Sequence, residues 1–369
     1  RIDIAGGNFT ATPERRAQAD FITTTSVRTV NEIIVTGPGA PPLASLDDLA
    51  GMTIHSRPST SYWTSLERLN ERFRTEGKPP MNIVALPDAL EDEDKLDMVN
   101  AGILQVAIID DWLARAWSRA LPDITLRDDL VLSSGERTGW AIRKDSPQLA
   151  AVLRQFEVEA VRPVSLVPVL RNQLNSRITR LSNNAARADR DRFDQMIGLF
   201  REFGGQYHLD PLLLAALGYQ ESQLRQDARS PVGAIGVMQL MPATGRSLNV
   251  GDIRQLNPNI HAGARYLDRL MTVYFQGATF DEMNRTLFAF AAYNAGPTRM
   301  QQMRRQAGER GLDPNVWFNN VEMVVAERIG LETTTYVRNI LKYFVAYTLI
   351  EETRATRHEA LQALPAAKP

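Results

Sequence analysis

The sequence predicts a multidomain α/β plus all-α protein: an α/β domain over residues 1–163, a linker over 164–190 and an all-α domain over 191–369. Three observations predict this. At 369 residues the chain is too long for one ordinary core. Up to about residue 163, short β-branched runs alternate with helical stretches, the grammar of an α/β layer structure. From about residue 190 the strand signals nearly vanish and apolar residues recur at helical spacing.

Taken in order, "NEIIVTG", "MTIHS", "NIVALP", "LQVAIID" and "TGWAIRKD" read as strands, and Tyr62–Arg74, Asp88–Ala101 and Ser146–Val161 as helices. Such alternation favours parallel strand pairing. The acidic run "EDED" at 91–94 lacks the glycine and spacing of a calcium loop and reads as a solvated helix face. The segment "VSLVPVLRNQLNSRITRLSNNAARADR" is polar and arginine-rich without an apolar stripe, hence the linker. In the second domain, helices are expected at Arg192–Tyr207, Pro211–Leu224, Ile260–Phe275, Phe280–Tyr293, Asn315–Arg328 and Thr333–Ile350. Asp210 before Pro211 is an N-cap followed by a proline whose missing N–H is harmless at the first helical position. The tail "ALPAAKP" is expected to fray.

Composition excludes several classes. Lys and Arg total 42 against 43 Asp and Glu, so no global field draws the chain to nucleic acid or to a membrane surface. There are no cysteines, which removes disulfides, thiolate metal sites and thiol catalysis. His55, His208, His261 and His358 are scattered without ligand spacing, so neither metal nor cofactor is expected. No run of about 18 apolar residues is present to span a bilayer. The opening "RIDIAGGNFTATPERR" has neither the pattern of a signal peptide nor an initiating methionine, as expected of a mature product or a fragment.

One carboxylate stands out. Glu221 closes the run "PLLLAALGYQ", a helix apolar nearly all round, and the glycine-broken stretch "SPVGAIGVMQLMP" follows. A carboxyl at the end of a buried helix loses water, which disfavours its charged form and raises its pKa toward the range of a general acid. Gly233 and Gly236 permit close approach of backbone to a ligand, Gln239 offers an amide, and Met238, Leu240 and Met241 offer an apolar wall. Further on, "FAFAAYNAGP" repeats the arrangement with Tyr293 and Asn294 at a helix end before Gly296-Pro297. The two helix ends read as two walls of one cleft.

"ESQLRQDARSPVGAIGVMQLMPAT", "AAYNAGP" and "ETTTYVRNIL" resemble, in order, the motifs of the soluble-lytic, lysozyme-like type of lytic murein transglycosylase. The resemblance covers about residues 195–350. It implies a lysozyme-like all-α domain that cleaves the β-1,4 bond between N-acetylmuramic acid and N-acetylglucosamine in peptidoglycan glycan strands. It further implies Glu221 as the single acid/base, Ser222 as the adjacent motif serine, and Gln239, Tyr293 and Asn294 as cleft residues. Tyr293 is the hydrogen-bonding partner expected nearest the reaction, and Met238 is expected to shape a sugar subsite. Glu332 reads either as the acidic residue of the last motif or as a helix N-terminal charge favoured by the dipole. The implied product is a 1,6-anhydromuramic acid end, formed without water. A goose-type lysozyme-like hydrolase is the rival reading, and a ligand-sensing protein with an inactive lysozyme-like appendage is the other.

In the first domain, "TATPERRAQADF", "STSYW", "AGILQVAIIDDW" and "GWAIRKDSPQL" resemble the periplasmic solute-binding domains that capture amino acids. The resemblance places Thr10, Arg15, Thr60 and Asp110 where that family holds an α-carboxylate and an α-ammonium. Arginine suits the carboxylate through its two-pronged donor geometry and aspartate the ammonium by charge. Gln105 stands where the family has an aspartate, and the chain begins partway into the family pattern, so part of the first lobe is expected to be missing. The pairing of domains resembles the membrane-bound lytic transglycosylase F group. It implies a regulatory first domain that senses a muropeptide or amino acid, and a periplasmic place at the inner leaflet of the outer membrane, reached through a segment absent from this sequence.

Overall fold

The computed structural model describes residues 3–23, 29–119, 121–161 and 185–362. They fall into two units, Arg1–Asn183 and Asn184–Pro369. Most of the expected linker, residues 164–184, and the tail 363–369 lie outside the described residues, whereas residues 185–190 open the first helix of the second unit.

In the first unit the strands are β1 (Ile4–Thr10), β2 (Ala19–Thr23), β3 (Val30–Thr36), β4 (Thr53–Ser56), β5 (Asn82–Ala85), β6 (Val106–Asp110), β7 (Thr125–Glu136) and β8 (Thr138–Arg143). The helices are α1 (Pro13–Gln18), α2 (Ser61–Thr75), α3 (Asp92–Asn100), α4 (Asp111–Trp117) and α5 (Pro147–Phe156). Three small sheets result: β1-β8-β2, β6-β3-β7 and β4-β5. Parallel pairing was the expectation, but only β4 and β5 run parallel; the other sheets are antiparallel. The crossover β6–α4–β7 does join two strands of one direction, yet β3 lies between them and runs the opposite way. Alternation along the chain reports crossovers; it does not report which strand is inserted into the gap.

The core of this unit joins Ile34, Ile54 and Ile108 of the sheets to Leu66, Leu69 and Phe73 of α2. A smaller cluster of Ile22, Ile142 and Ala150 seats α5 on β8 and β2. At Gly139 of β8 a side chain would meet the Ile22 carbonyl at 2.4 Å, so glycine is required for the strands to close. The "EDED" run departs from expectation. Asp92 and Glu93 are part-buried rather than solvated, because the first turn of α3 faces Arg57 and the fully buried Lys95.

The second unit is helical: α6 (Ala185–Tyr207), α7 (Pro211–Ser222), α8 (Pro242–Leu248), α9 (Leu256–Arg269), α10 (Glu282–Ala295), α11 (Pro297–Glu309), α12 (Glu322–Arg328) and α13 (Leu331–Gln362). Asp210 caps α7 as expected, its carboxylate accepting from the amides of Leu212 and Leu213 at 2.7 and 3.3 Å. Leu214, Ala215, Ala216 and Leu217 are fully buried, because α6 and α13 flank α7. Aromatic contacts fix this layer: Phe193 stacks on Tyr347 at 4.2 Å, and Tyr219 meets Tyr343 edge-on at 4.5 Å. The break at Gly296-Pro297 is a junction between helices. Gly296, at φ +90°, ends α10, and Pro297 occupies the first position of α11.

Candidate active site

The apolar helix α7 ends in two residues of left-handed backbone, Gln223 (φ 55°) and Leu224 (φ 58°). Neither is glycine, so the turn carries strain of roughly 1 kcal/mol or more at each position. Glu221 sits just before this turn, part-exposed near the end of a helix whose middle, from Leu214 to Gly218, is buried. Burial pushes its carboxyl up to about 7, and the Tyr336 hydroxyl, which donates to Oε1, opposes the rise. Among the described residues no cation or second carboxylate contributes to the shift. Near neutral pH this group exists in comparable amounts as acid and as carboxylate, which is what a residue that both gives and takes a proton needs.

Tyr336 comes from the first turns of α13, which packs along α7. Tyr293, near the end of α10, was expected to be the nearest partner of Glu221; its hydroxyl instead donates to the Met238 carbonyl at 2.7 Å. Its ring stands edge-on to Tyr266 at 5.2 Å. Burial holds both phenols well above their ordinary value, and the Glu221 charge adds to this, so both remain O–H donors. Tyr293 therefore acts on the carboxyl through space and through the loop it clamps.

The loop after α7 is held by two side-chain amides, one buried (Asn259) and one part-buried (Gln226). Asn259 of α9 accepts from the Met238 amide at 2.8 Å and donates to the Ile235 and Ile253 carbonyls at 2.9 Å each. Gln226 accepts from the Val237 amide at 3.2 Å and donates to Ile253 at 3.2 Å. Gly236, at φ +78°, lies so near them that a Cβ would come within 2.5 Å of the Asn259 amide nitrogen. Its role is close internal packing.

The remaining motif residues divide. Ser222 is buried, donates to the Val237 carbonyl at 2.9 Å and accepts from the Arg225 amide at 3.0 Å, so it ties helix to loop. Met238, expected to shape a sugar subsite, is 0% exposed. It fills the space left by Gly218 and Gly263, where added side chains would meet it at 3.2 and 2.6 Å. The reason is register: the loop turns Met238 inward and leaves Met241 43% exposed. Gln239 (φ 43°) is part-exposed, with its amide nitrogen held by the Gly236 carbonyl at 2.8 Å. Asn294 is exposed and accepts from the Thr333 hydroxyl at 2.8 Å, joining the end of α10 to the start of α13. Glu332 is exposed in the first turn of α13, a position the helix dipole favours.

In the first unit, Thr10, Arg15, Thr60 and Asp110 line one pocket of about 430 Å³, with Phe9, Arg57, Tyr62, Glu93 and Trp112 among its other walls. Arg15 donates to the carbonyls of Thr10 and Ser59 at 3.1 and 2.7 Å, which aims its guanidinium without neutralising it. Asp110 is 5% exposed. Trp112 donates to its Oδ2 at 3.3 Å, while Oδ1 is buried without a hydrogen-bond partner. Burial raises the Asp110 carboxyl to about 7.

Residues 198–315 match the family described as the transglycosylase SLT domain. Over almost the whole chain the sequence is similar to proteins named membrane-bound lytic murein transglycosylase F. The one from Ectopseudomonas mendocina (strain ymp) is 26% identical over 377 residues, 95% of this chain and 72% of the relative. The one from Yersinia pestis (strain Pestoides F) is 28% identical over 355 residues, 90% and 70% of the two chains. Along its length the chain is similar to the lytic murein transglycosylases, and its second unit carries their SLT domain. Among solved structures it is also similar to the substrate binding protein of an amino acid ABC transporter, at 16% identity and a TM-score of 0.36, covering 49% of this chain and 72% of that one.

For this transglycosylase, sequence reasoning missed Tyr336, Asn259 and Gln226. Tyr336 lies within "ETTTYVRNIL", and its tyrosine at helical spacing among apolar residues reads as core. Asn259 carries a weak signal: an amide in the first turns of an amphipathic helix. Only the fold reveals that it faces three backbone groups.

Proposed function

We propose that this enzyme cleaves peptidoglycan between N-acetylmuramic acid and N-acetylglucosamine and leaves 1,6-anhydromuramic acid ends. Glu221 in its acid form gives its proton to the glycosidic oxygen, and the bond from that oxygen to C1 breaks. The acetamide oxygen of the substrate stabilises the cation that develops at C1, a role a second carboxylate fills in most glycosidases. The Glu221 carboxylate then takes the proton of the muramyl 6-hydroxyl, whose oxygen closes on C1. Proton and electron pairs balance without water. Tyr336 holds the carboxyl in place through both steps and lowers the energy of its charged form.

The observation that carries this reading is the isolation of Glu221: a carboxyl at about 7 with one phenol on it and, among the described residues, no charged group acting on it. Mass spectrometry of digested, purified sacculi tests it. Anhydro products, one water lighter than reducing ends, are expected, and Glu221→Gln should give none. Reducing muramic acid ends in the wild-type digest would assign the chain to the goose-type hydrolases instead.

The first domain supports a second reading, in which its pocket binds the head of an amino acid or muropeptide and modulates lysis. Arg15 takes the α-carboxylate and Asp110 the α-ammonium, with the hydroxyls of Thr10 and Thr60 beside them. What supports it is the meeting of these four residues in one pocket, with a buried carboxylate oxygen of Asp110 left without a partner. Lysis rates measured with and without amino acids or muropeptides test the modulation; unchanged rates under saturating ligand leave a merely structural domain. We place the enzyme in the periplasm, at the inner leaflet of the outer membrane, a location supported by the membrane-bound relatives. Among the described residues no helix is long and apolar enough to cross a membrane.

A further inference from the structure

The acidic first turn of α3 forms part of the wall of the pocket in the first domain, where Glu91, Asp92 and Glu93 line it together with Arg15. Two of these carboxylates are matched by cations. Arg57 reaches Glu91 at 3.4 Å and Asp92 at 3.1 Å, and the buried Lys95 reaches Asp92 at 3.0 Å. Lys95 has no charge left to offer: its ammonium also lies 4.6 Å from the centre of the Tyr62 ring, enclosed on all sides.

Glu93 has no such match. It is part-buried, it lines the pocket, and among the described residues no cation pairs with it. With Arg57 and Lys95 accounted for, the described residues of the pocket include one uncommitted cation, Arg15, against two uncommitted carboxylates, Asp110 and Glu93. Glu32, 3% exposed and with one oxygen lacking a partner, adds a negative charge that acts on both Arg15 and Asp110. A neutral zwitterion would satisfy Arg15 and Asp110 and leave Glu93 facing an apolar chain in a part-buried wall. Leaving a charge unpaired there is costly.

We infer that the pocket selects an α-amino acid with a cationic side chain, its α-carboxylate on Arg15, its α-ammonium on Asp110 and its side-chain cation on Glu93. The inference rests on the reading of this pocket as an amino-acid site and adds the class of side chain. Phe9 and Trp112, both exposed side chains in the pocket lining, supply apolar faces for the methylenes between the two charged ends. The source of the ligand, a free amino acid or an amine-bearing residue of a wall peptide, is separated by comparing the two in the same titration.

The test is calorimetric titration of the whole chain with L-lysine and with L-norleucine, which matches lysine in shape but lacks the terminal amine. Intrinsic fluorescence from Trp112 gives a second readout. L-lysine is expected to bind at least about tenfold more tightly, the equivalent of one charge-assisted hydrogen bond. Glu93→Gln should reduce that preference to near unity while norleucine binding stays. Norleucine binding as tightly as lysine to the wild-type chain overturns the inference and leaves the amino-acid site standing, and so does a lysine preference that survives Glu93→Gln. Absence of binding by both ligands, and by a diamino-acid-containing wall peptide, removes the amino-acid site itself. The wild-type comparison needs no variant, so it decides even if Glu93→Gln fails to fold.

Discussion

Replacing Glu221 by glutamine should make the catalytic half more stable above neutral pH, at the same time as it abolishes turnover. The carboxyl has an ordinary value of 4.5 and sits at about 7 in the folded protein, raised by burial. A carboxyl raised on folding favours the folded state while protonated, and that contribution is lost as pH climbs from 4.5 through 7. At about 1.4 kcal/mol per pH unit, the interval corresponds to about 3.5 kcal/mol, an upper figure that water at the part-exposed carboxyl reduces to about 2. Glutamine has nearly the same shape, carries no charge and can still accept from Tyr336. For a domain of this size, a gain of about 2 kcal/mol raises the melting temperature by roughly 5 °C. The assay is thermal unfolding of wild type and variant at pH 4 and pH 8, following the catalytic half. Near-equal melting at pH 4 and a higher variant at pH 8 are expected. Asp110 titrates in the same range but is common to both proteins and cancels. A variant that melts lower at pH 8, or by the same margin at both pH values, would refute the assignment of Glu221 as a desolvated acid.

Other consequences follow from the same contacts. Tyr336→Phe removes the donor that stabilises the Glu221 carboxylate, so the alkaline limb of the lysis pH profile should move up by about one pH unit, with a lower maximum; a limb that stays put or moves down contradicts the pairing. Asn259→Ala orphans the Met238 amide and the Ile235 and Ile253 carbonyls, and should destabilise the catalytic half by roughly 3 kcal/mol in denaturant melts. Gly263→Ala drives a methyl group into the buried Met238 side chain and should lower stability by roughly 1–3 kcal/mol, read by the same melts. Asp110→Asn should abolish amino-acid binding in calorimetry while raising the melting point of the first domain at pH 8, because it removes a buried carboxyl held at about 7.

Much of the site was legible in the sequence because it depends on local chemistry. The cap at Asp210, the all-apolar run to Leu217 and the polar, glycine-broken stretch after Glu221 together announce a desolvated carboxyl at a helix end. The elevated value of Glu221 agrees with that expectation. In the first domain, the resemblance to solute-binding domains marked Thr10, Arg15, Thr60 and Asp110, and the fold gathers all four around one pocket. Long-range partners were not legible. Met238 and Met241 are alike in local sequence, and only the packing against Gly218 and Gly263 turns one inward. The "EDED" run reads as solvated until Lys95 and Arg57 are seen beside it.

The sequence by itself determined the division into an α/β and a helical part, the placement of most helices and five strands, and the place of the desolvated carboxyl proposed as the acid. These follow from periodicity, caps and turn chemistry, which act over a few residues. Tertiary structure decided that β3 separates β6 from β7, that Asn259 holds the loop, and that the hydroxyl on Glu221 belongs to Tyr336 rather than Tyr293. Those choices join groups as far as 115 residues apart in the chain. They are settled by which helices bury one another's apolar faces, and no local propensity carries that information.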